Sequence, residues 1–131
     1  MQDYGTHGQP KGTWYDDGSL LLCAVESLAE KSFDTQDVGE RFVRWNTHGL
    51  WTAHGTLFDI GCATSKVLRM MEQDCPAEIA GGDGEFGNGN GSFMRILPVP
   101  LASLSCDMDV FCDRIARASA MTHANDHSKL A

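Results

Sequence analysis

The apolar residues of this chain recur mainly at three- and four-residue intervals, the spacing of one face of an α-helix. Residues 19–31 are apolar nearly all round, which predicts a buried helix with partners on several sides. Residues 35–46 follow helical spacing, with Asp34 or Thr35 as the N-cap and Gly49 in the C-cap region. No segment shows the two-residue alternation of a strand, so the pattern predicts an all-α fold.

The second half of the chain predicts further helices separated by a long loop. A helix begins at Asp59, which is well placed to cap it, and a shift to glycine, aspartate and asparagine predicts a loop over residues 74–91. A last helix, capped by Asp107 or Asp109, extends through Ala118. Four or five helices are expected along the chain.

Two residue types refine this pattern. Arg41 and Arg44 fall on the polar side of the second predicted helix, so both are expected at the surface. The five cysteines include no pair with the spacing of a zinc knuckle or a thioredoxin motif, and we expect all of them to be reduced thiols. Cys23, Cys62 and Cys112 fall in helical patterns, where a thiol acts as a small apolar residue.

Composition limits the possible classes of protein. With 131 residues, of which 42% are hydrophobic, the chain can form one domain with its own core or part of a larger one. A net charge of −8 argues against binding to nucleic acid or to an anionic membrane, because both reward lysine and arginine. Neither a signal peptide nor an apolar stretch of membrane-spanning length is evident, so we expect a cytoplasmic protein.

The candidate chemistry begins at residues 12–19, which read Gly-Thr-Trp-Tyr-Asp-Asp-Gly-Ser. Asp16 and Asp17 lie side by side at the start of the first predicted helix, with hydroxyl-bearing residues on both sides. Oxygen donors of this kind suit Mg²⁺, Mn²⁺ or Ca²⁺. The simpler alternative is that Asp16, Asp17 or Ser19 only caps the helix, since carboxylates are favoured at a helix N-terminus.

A second candidate lies at residues 87–95, which read Gly-Asn-Gly-Asn-Gly-Ser-Phe-Met-Arg. Small residues let backbone amides approach a ligand closely, and a helix that starts there adds free amides of its own. Such a segment suits a phosphate or a sugar. Glycine and asparagine also mark ordinary turns. Taken alone, the segment is therefore better explained as a plain turn than as a phosphate or sugar site.

The order of four motifs carries more information than any one of them. They are the segment at 12–19, Phe-Asp-Ile-Gly at 58–61, Gly-Asn-Gly-Ser-Phe-Met-Arg at 89–95 and Thr-His at 122–123. In order and spacing they resemble the ADP-ribosylglycohydrolase family. The resemblance covers nearly the whole chain from residue 12 onward and implies fold before it implies activity.

The resemblance implies a compact orthogonal helical bundle of the ADP-ribosylglycohydrolase type, here incomplete. The chain is then a single partial domain over residues 1–131, with a leader loop at 1–13 and a helical core at 14–131. The family's first helix and its second aspartate-rich metal motif match nothing in this chain. We therefore expect at most half of a two-metal site, and exposed apolar helix faces through which the chain could self-associate.

The resemblance also implies an activity and its residues. The family removes ADP-ribosyl groups from modified side chains or small molecules with two divalent ions, usually Mg²⁺ or Mn²⁺. The positions that match its metal-binding, catalytic pair are Asp16 and Asp17. Those that match its substrate-binding residues are Asp59, Gly89, Asn90, Gly91, Ser92, Met94 and His123.

Two positions depart from the family pattern. Tyr15 stands before the aspartate pair, where the family usually has threonine or serine, and Gly18 stands after it, where threonine is usual. A phenol is bulkier than a short hydroxyl ligand and does not simply replace it. The alternatives to a metal-dependent hydrolase are therefore a non-catalytic module that binds ADP-ribose or a nucleotide, and an inactive fragment.

Overall fold

The computed structural model describes residues 7–81 and 91–124, and within these ranges it contains seven α-helices and no β-strand. The predicted all-α fold is confirmed. The helices are α1 (Asp16–Lys31), α2 (Thr35–His48), α3 (Cys62–Met71), α4 (Ala77–Ala80), α5 (Gly91–Ile96), α6 (Pro98–Ala102) and α7 (Met108–Ala120).

The core lies between α1 and α2 and is closed by the later helices. Phe42 and Trp45 of α2 are completely buried, as is Cys23 of α1. Large buried aromatic side chains dominate the energetics of a small core. The remaining members of the cluster come from α1, α2, α3, α4 and the end of α7: Leu20, Ala24, Val38, Leu68, Ala77 and Met121.

The caps of α2 agree with the sequence. The Asp34 carboxylate accepts hydrogen bonds from the amides of Gln36 at 3.0 Å and Asp37 at 3.1 Å. Gly49 follows the last turn with a φ of 68°, the left-handed conformation that glycine adopts without a steric cost. α7 has Asp107 at its N-cap position, although that side chain makes no capping hydrogen bond among the described residues.

Three predicted boundaries are wrong. α1 begins at Asp16 and not at residue 19, so the carboxylate pair forms the first turn of the helix itself. α3 begins only at Cys62, because the backbone of Gly61 before it is extended. Asp59 lies outside the helix and therefore does not cap it. The predicted loop at 74–91 contains α4, whose Ala77 and Ala80 are buried; residues 82–90 of that loop lie outside the described residues.

Arg41 is buried, contrary to the expectation that it faces solvent. Only 7% of the residue is exposed, and its guanidinium forms ion pairs with Asp37 of α2 at 2.7 Å and with Glu30 of α1 at 2.7 Å. It also pairs with Glu26 of α1. Two carboxylates one turn apart on α1 and one from α2 itself thus converge on one arginine. Arg44 is exposed as predicted.

The outer faces of the late helices are unusually apolar. The side chains that remain more than half exposed there are Phe93, Leu97, Leu101, Leu104 and Met108. Exposed apolar patches of this kind mark surfaces that pack against another polypeptide. The apolar role expected for two of the cysteines is not observed, because Cys62 and Cys112 are exposed. None of the helices in the described part of the chain is long and apolar enough to cross a membrane.

Candidate functional site

The carboxylate pair stands in the first turn of α1. The residue before the helix is Tyr15, which makes no side-chain capping bond. Asp16 Oδ1 accepts a hydrogen bond from the amide of its neighbour Asp17 at 3.0 Å, while Asp17 caps no amide among the described residues. The pair therefore benefits from the positive end of the helix dipole, although only Asp16 accepts a hydrogen bond from a helix amide.

A third carboxylate faces the pair across an open cavity of about 400 Å³. Asp59 comes from the extended segment before α3, which brings it there because the helix starts only at Cys62. The cavity is lined by His7, Tyr15, Asp16, Asp17, Asp59 and Met94. Four of the predicted site residues, the three aspartates and Met94, thus share one cavity although they come from three separate parts of the chain.

Negative charge in this cavity is poorly compensated. Burial raises the pKa of the Asp17 carboxyl above its ordinary value of 3.8, and the charge of Asp16, a hydrogen bond to Asp16 and the charge of Asp59 raise it further. Among the described residues, no lysine or arginine forms an ion pair with these three carboxylates, and the nearest basic side chain is His7, whose Nε2 lies 3.7 Å from Asp59 Oδ2. A bound cation would relieve this repulsion.

The chemistry of the donors fits a divalent ion of the magnesium type in part. Carboxylate oxygens of Asp16 and Asp17 are the ligands that Mg²⁺ and Mn²⁺ prefer. Within residues 7–81 and 91–124, however, no three histidine, cysteine, aspartate or glutamate side chains converge closely enough to hold an ion. The described residues therefore provide part of a coordination shell, and its remaining ligands would have to be water, substrate oxygens or other residues.

The two departures around the pair have a structural explanation. A Cβ at Gly18 would lie 3.1 Å from both Cβ and Cδ1 of Trp14, so the indole occupies the space that a threonine would need. The Tyr15 ring packs edge-on against His7, with centroids 5.3 Å apart, and against Phe58 at 5.5 Å. Tyr15 therefore forms one aromatic wall of the cavity.

The end of the glycine segment lies against His123. Gly91 begins α5, and a Cβ built on it would lie 3.1 Å from Cε1 of the imidazole. Both Ser92 and His123 are buried, with 4% and 2% of the residue exposed. Burial lowers the pKa of His123, and the charge of Arg95 lowers it further, so the ring is neutral at pH 7. Gly89 and Asn90 lie outside the described residues.

Sequence reasoning missed several members of this region. His7 was assigned to an uninformative leader, and no pattern in the sequence connects it with Asp59. Thr64 lies near Gly91 and His123, with its Oγ1 3.9 Å from the Cβ position of residue 91. One signal was available for Arg95, because it directly follows the candidate Met94 in the same motif. In the structure the Arg95 side chain is buried.

Comparison with known proteins agrees with this geometry. A sequence model of the family described as ADP-ribosylglycohydrolase matches residues 1–131. The ADP-ribosylarginine hydrolase Tri1 of Pseudomonas putida (strain GB-1) is 33% identical over 97 residues, which are 69% of this chain and 24% of that protein. The protein of the same name from Serratia proteamaculans (strain 568) is 30% identical over 124 residues, 89% of this chain and 32% of that protein.

The fold has a solved counterpart. A chain from a structure described as an ADP-ribosylglycohydrolase-related protein complex superimposes with a TM-score of 0.75 and 31% identity, covering 96% of this chain and 38% of that one. The present chain thus spans about a quarter to a third of the length of the two curated relatives it matches.

Proposed function

Because this chain belongs to the ADP-ribosylglycohydrolase family, we propose that its Asp16–Asp17 cavity binds an ADP-ribosyl group and contributes to hydrolysis of the bond that attaches it. The observation that carries the proposal is the set of poorly compensated carboxylates, Asp16, Asp17 and Asp59, around one open cavity. The names of the two curated relatives support ADP-ribosylated arginine as the substrate class. The chain spans about a quarter to a third of the length of those proteins.

Asp16 and Asp17 are proposed as ligands of Mg²⁺ or Mn²⁺. When bound, such an ion supplies a Lewis acid that orients ribose hydroxyls and makes a water molecule more acidic. The pKa of Asp17, which burial raises most and the charges of Asp16 and Asp59 raise further, supports this assignment, because a bound cation stabilises the ionised carboxylate. Asp59 lies across the cavity and adds negative charge that favours the ion.

The residues of the chain itself have distinct tasks in the reaction. Cleavage at C1 of ribose builds positive, oxocarbenium-like charge on the sugar, which carboxylates stabilise electrostatically. Asp16 or Asp17 would supply that charge, or accept a proton from the attacking water. Gly91 and Ser92 begin α5 next to His123, where the absence of a side chain at residue 91 lets the imidazole approach the backbone closely. With Gly89 and Asn90, they are proposed to hold the diphosphate.

A second candidate function is a module that binds ADP-ribose without hydrolysing it. Tyr15 and Gly18 favour it, because neither provides the short hydroxyl that the family pattern places beside the pair. Trp14 lies 3.1 Å from the position of a Cβ at Gly18, so a threonine there would crowd the indole. This candidate differs from the first in needing no metal ion for binding.

Calorimetric titration of ADP-ribose into the 131-residue chain distinguishes the two candidates. We expect binding in Mg²⁺ or Mn²⁺ to be at least about tenfold tighter than in a chelator, since even the residues that surround a metal site change its affinity about 10- to 100-fold. The same samples, incubated with ADP-ribosylated arginine, would report hydrolysis by the release of ADP-ribose. Equal binding in the chelator, with no release, supports the binding module. A folded chain that binds no ADP-ribose under either condition contradicts both.

A further inference from the structure

The side chains of Arg95, Thr122 and His123 form a chain of hydrogen bonds in the interior. The Arg95 guanidinium donates to Thr122 Oγ1, and the same Oγ1 lies 2.8 Å from His123 Nδ1. Each of the three residues is at most 3% exposed, so water does not compete for these bonds. Thr122 is thus the link between a buried cation at the end of α5 and an imidazole next to the glycine segment.

The direction of each proton follows from the donors available. A guanidinium can only donate, so Thr122 Oγ1 accepts from Arg95 and keeps its own proton to give. Among the described residues, the acceptor within hydrogen-bond distance of that hydroxyl is His123 Nδ1. With Thr122 as the donor, Nδ1 is unprotonated and the ring proton lies on Nε2. The opposite tautomer would leave the buried Thr122 proton without an acceptor.

Arg95 is suited to hold this arrangement. Its Nη1 donates to the carbonyl of Ala118 at 3.3 Å, and its Cζ lies 5.2 Å from the centroid of the Phe42 ring. No carboxylate among the described residues pairs with it. Burial lowers the pKa of Arg95 only to about 10, so the group remains charged at pH 7 and disfavours a second positive charge on His123.

The Nε2 edge of His123 lies beside Gly91. The Cβ position of Gly91 lies 3.1 Å from Cε1 and 3.6 Å from Nε2 of the ring. Within the part of the chain that the structure describes, no acceptor forms a hydrogen bond with Nε2. An imidazole N–H without a partner among these residues can donate to an oxygen of a ligand or of water.

We propose that Arg95 and Thr122 are positioning residues that hold His123 as its neutral Nε2–H tautomer, which presents one hydrogen-bond donor beside Gly91. The group that accepts this bond is an oxygen of the bound ligand. That it is a phosphate or ribose oxygen of an ADP-ribosyl group rests on the proposed function.

The tautomer can be measured without any ligand. In the 131-residue chain labelled with ¹⁵N-histidine at pH 7.5, long-range proton–nitrogen correlation separates protonated from unprotonated ring nitrogens, and the His123→Gln variant assigns the His123 signals. We expect an unprotonated Nδ1 and a protonated Nε2. A protonated Nδ1, or a mixture of the two tautomers, would overturn the proposal.

Variants of Thr122 show whether its hydroxyl positions His123 or its side chain only fills space. Thr122→Val removes the hydroxyl with little change of shape and should release His123 into a mixture of tautomers, whereas Thr122→Ser should keep the wild-type signals. Thermal melts of both variants report whether they fold. A single Nε2–H tautomer in folded Thr122→Val would show that the hydroxyl does not set it.

The ligand is tested separately, by ADP-ribose titration in Mg²⁺. We expect Thr122→Val to bind about tenfold more weakly, the loss of one well-placed hydrogen bond, and Thr122→Ser to bind like the wild type. Unchanged affinity in a variant that has lost the tautomer would overturn the role of His123 as a donor. If the wild type binds no ADP-ribose, the proposed function fails, while the tautomer measurement still decides the role of Arg95 and Thr122.

Discussion

Replacing Arg41 with alanine is expected to lower the free energy of unfolding by about 3–5 kcal/mol, as found when one partner of a buried ion pair is removed. The guanidinium satisfies Asp37, Glu30 and Glu26 at once. Asp37, whose side chain is only 8% exposed, would keep Lys31 at 3.2 Å as its one cationic partner among the described residues. Urea denaturation followed by the fluorescence of the buried Trp45 measures the loss.

The matched control is Arg44→Ala, which removes an exposed arginine from the same helix and should change stability by less than about 0.5 kcal/mol. Equal effects of the two substitutions would contradict the role given to Arg41. For Arg41→Ala we expect a lower urea midpoint. The slope of the free energy of unfolding against urea concentration should stay the same, since the surface exposed on unfolding does not change.

The pH dependence of stability has a definite sign at the same cluster. Burial alone would raise the pKa of Asp37, but its hydrogen bonds to Arg41 and Lys31 prevail and lower it from 3.8 to about 2. A folded-state pKa below the unfolded one stabilises the chain above about pH 4, and this stabilisation, about 2 kcal/mol, is lost as the pH falls toward 2. In Arg41→Ala that acid-dependent loss should shrink.

Replacing Asp17 with asparagine should have two opposite effects. We expect Mn²⁺ binding to weaken at least about 100-fold, because a direct ligand matters more than the surrounding residues that cost 10- to 100-fold. The metal-free chain should become more stable at pH 7. The folded-state pKa of Asp17 is raised, so the folded state favours the neutral form, and asparagine provides that neutrality at every pH.

The control for this substitution is Asp109→Asn. Asp109 is also an acidic residue in the first turn of a helix, and it is exposed. The main interaction of the Asp109 carboxylate is with the helix dipole. Removing its charge should therefore destabilise the chain by a few tenths of a kcal/mol and leave Mn²⁺ binding unchanged. Thermal melts with and without Mn²⁺ report both quantities. If Asp17→Asn destabilised the metal-free chain as Asp109→Asn does, helix capping would explain the pair.

Local sequence pattern predicted the parts of this fold that depend on local interactions. The caps of α2 are examples, because Asp34 and Gly49 act on residues within one helical turn of themselves. The burial of Arg41 depends on Glu26 and Glu30, which lie on a different helix, so no spacing within α2 reveals it. The short helix α4 was likewise hidden, since four residues carry too little periodicity to recognise.

The candidate site was predicted to a similar extent. The motif order identified Asp16, Asp17, Asp59 and Met94, which share one cavity, but the capping role expected of Asp59 was wrong because Gly61 delays the helix. The motifs also included Gly91 and His123, which the structure brings into contact. They did not reveal the link from Arg95 through Thr122, because it joins side chains that are 27 residues apart in sequence.

The most direct test of the proposed site is the map of amide chemical-shift changes when ADP-ribose is added to the ¹⁵N-labelled chain in Mg²⁺. We expect the largest changes at the start of α1, at residues 58–62, at the start of α5 and at His123. Another cavity of about 380 Å³ lies between α2, α3 and α4 and is lined by Gly39, Val43 and Met71 among others. Changes confined to that cavity, or absent throughout a folded chain, would contradict the site proposed at Asp16 and Asp17.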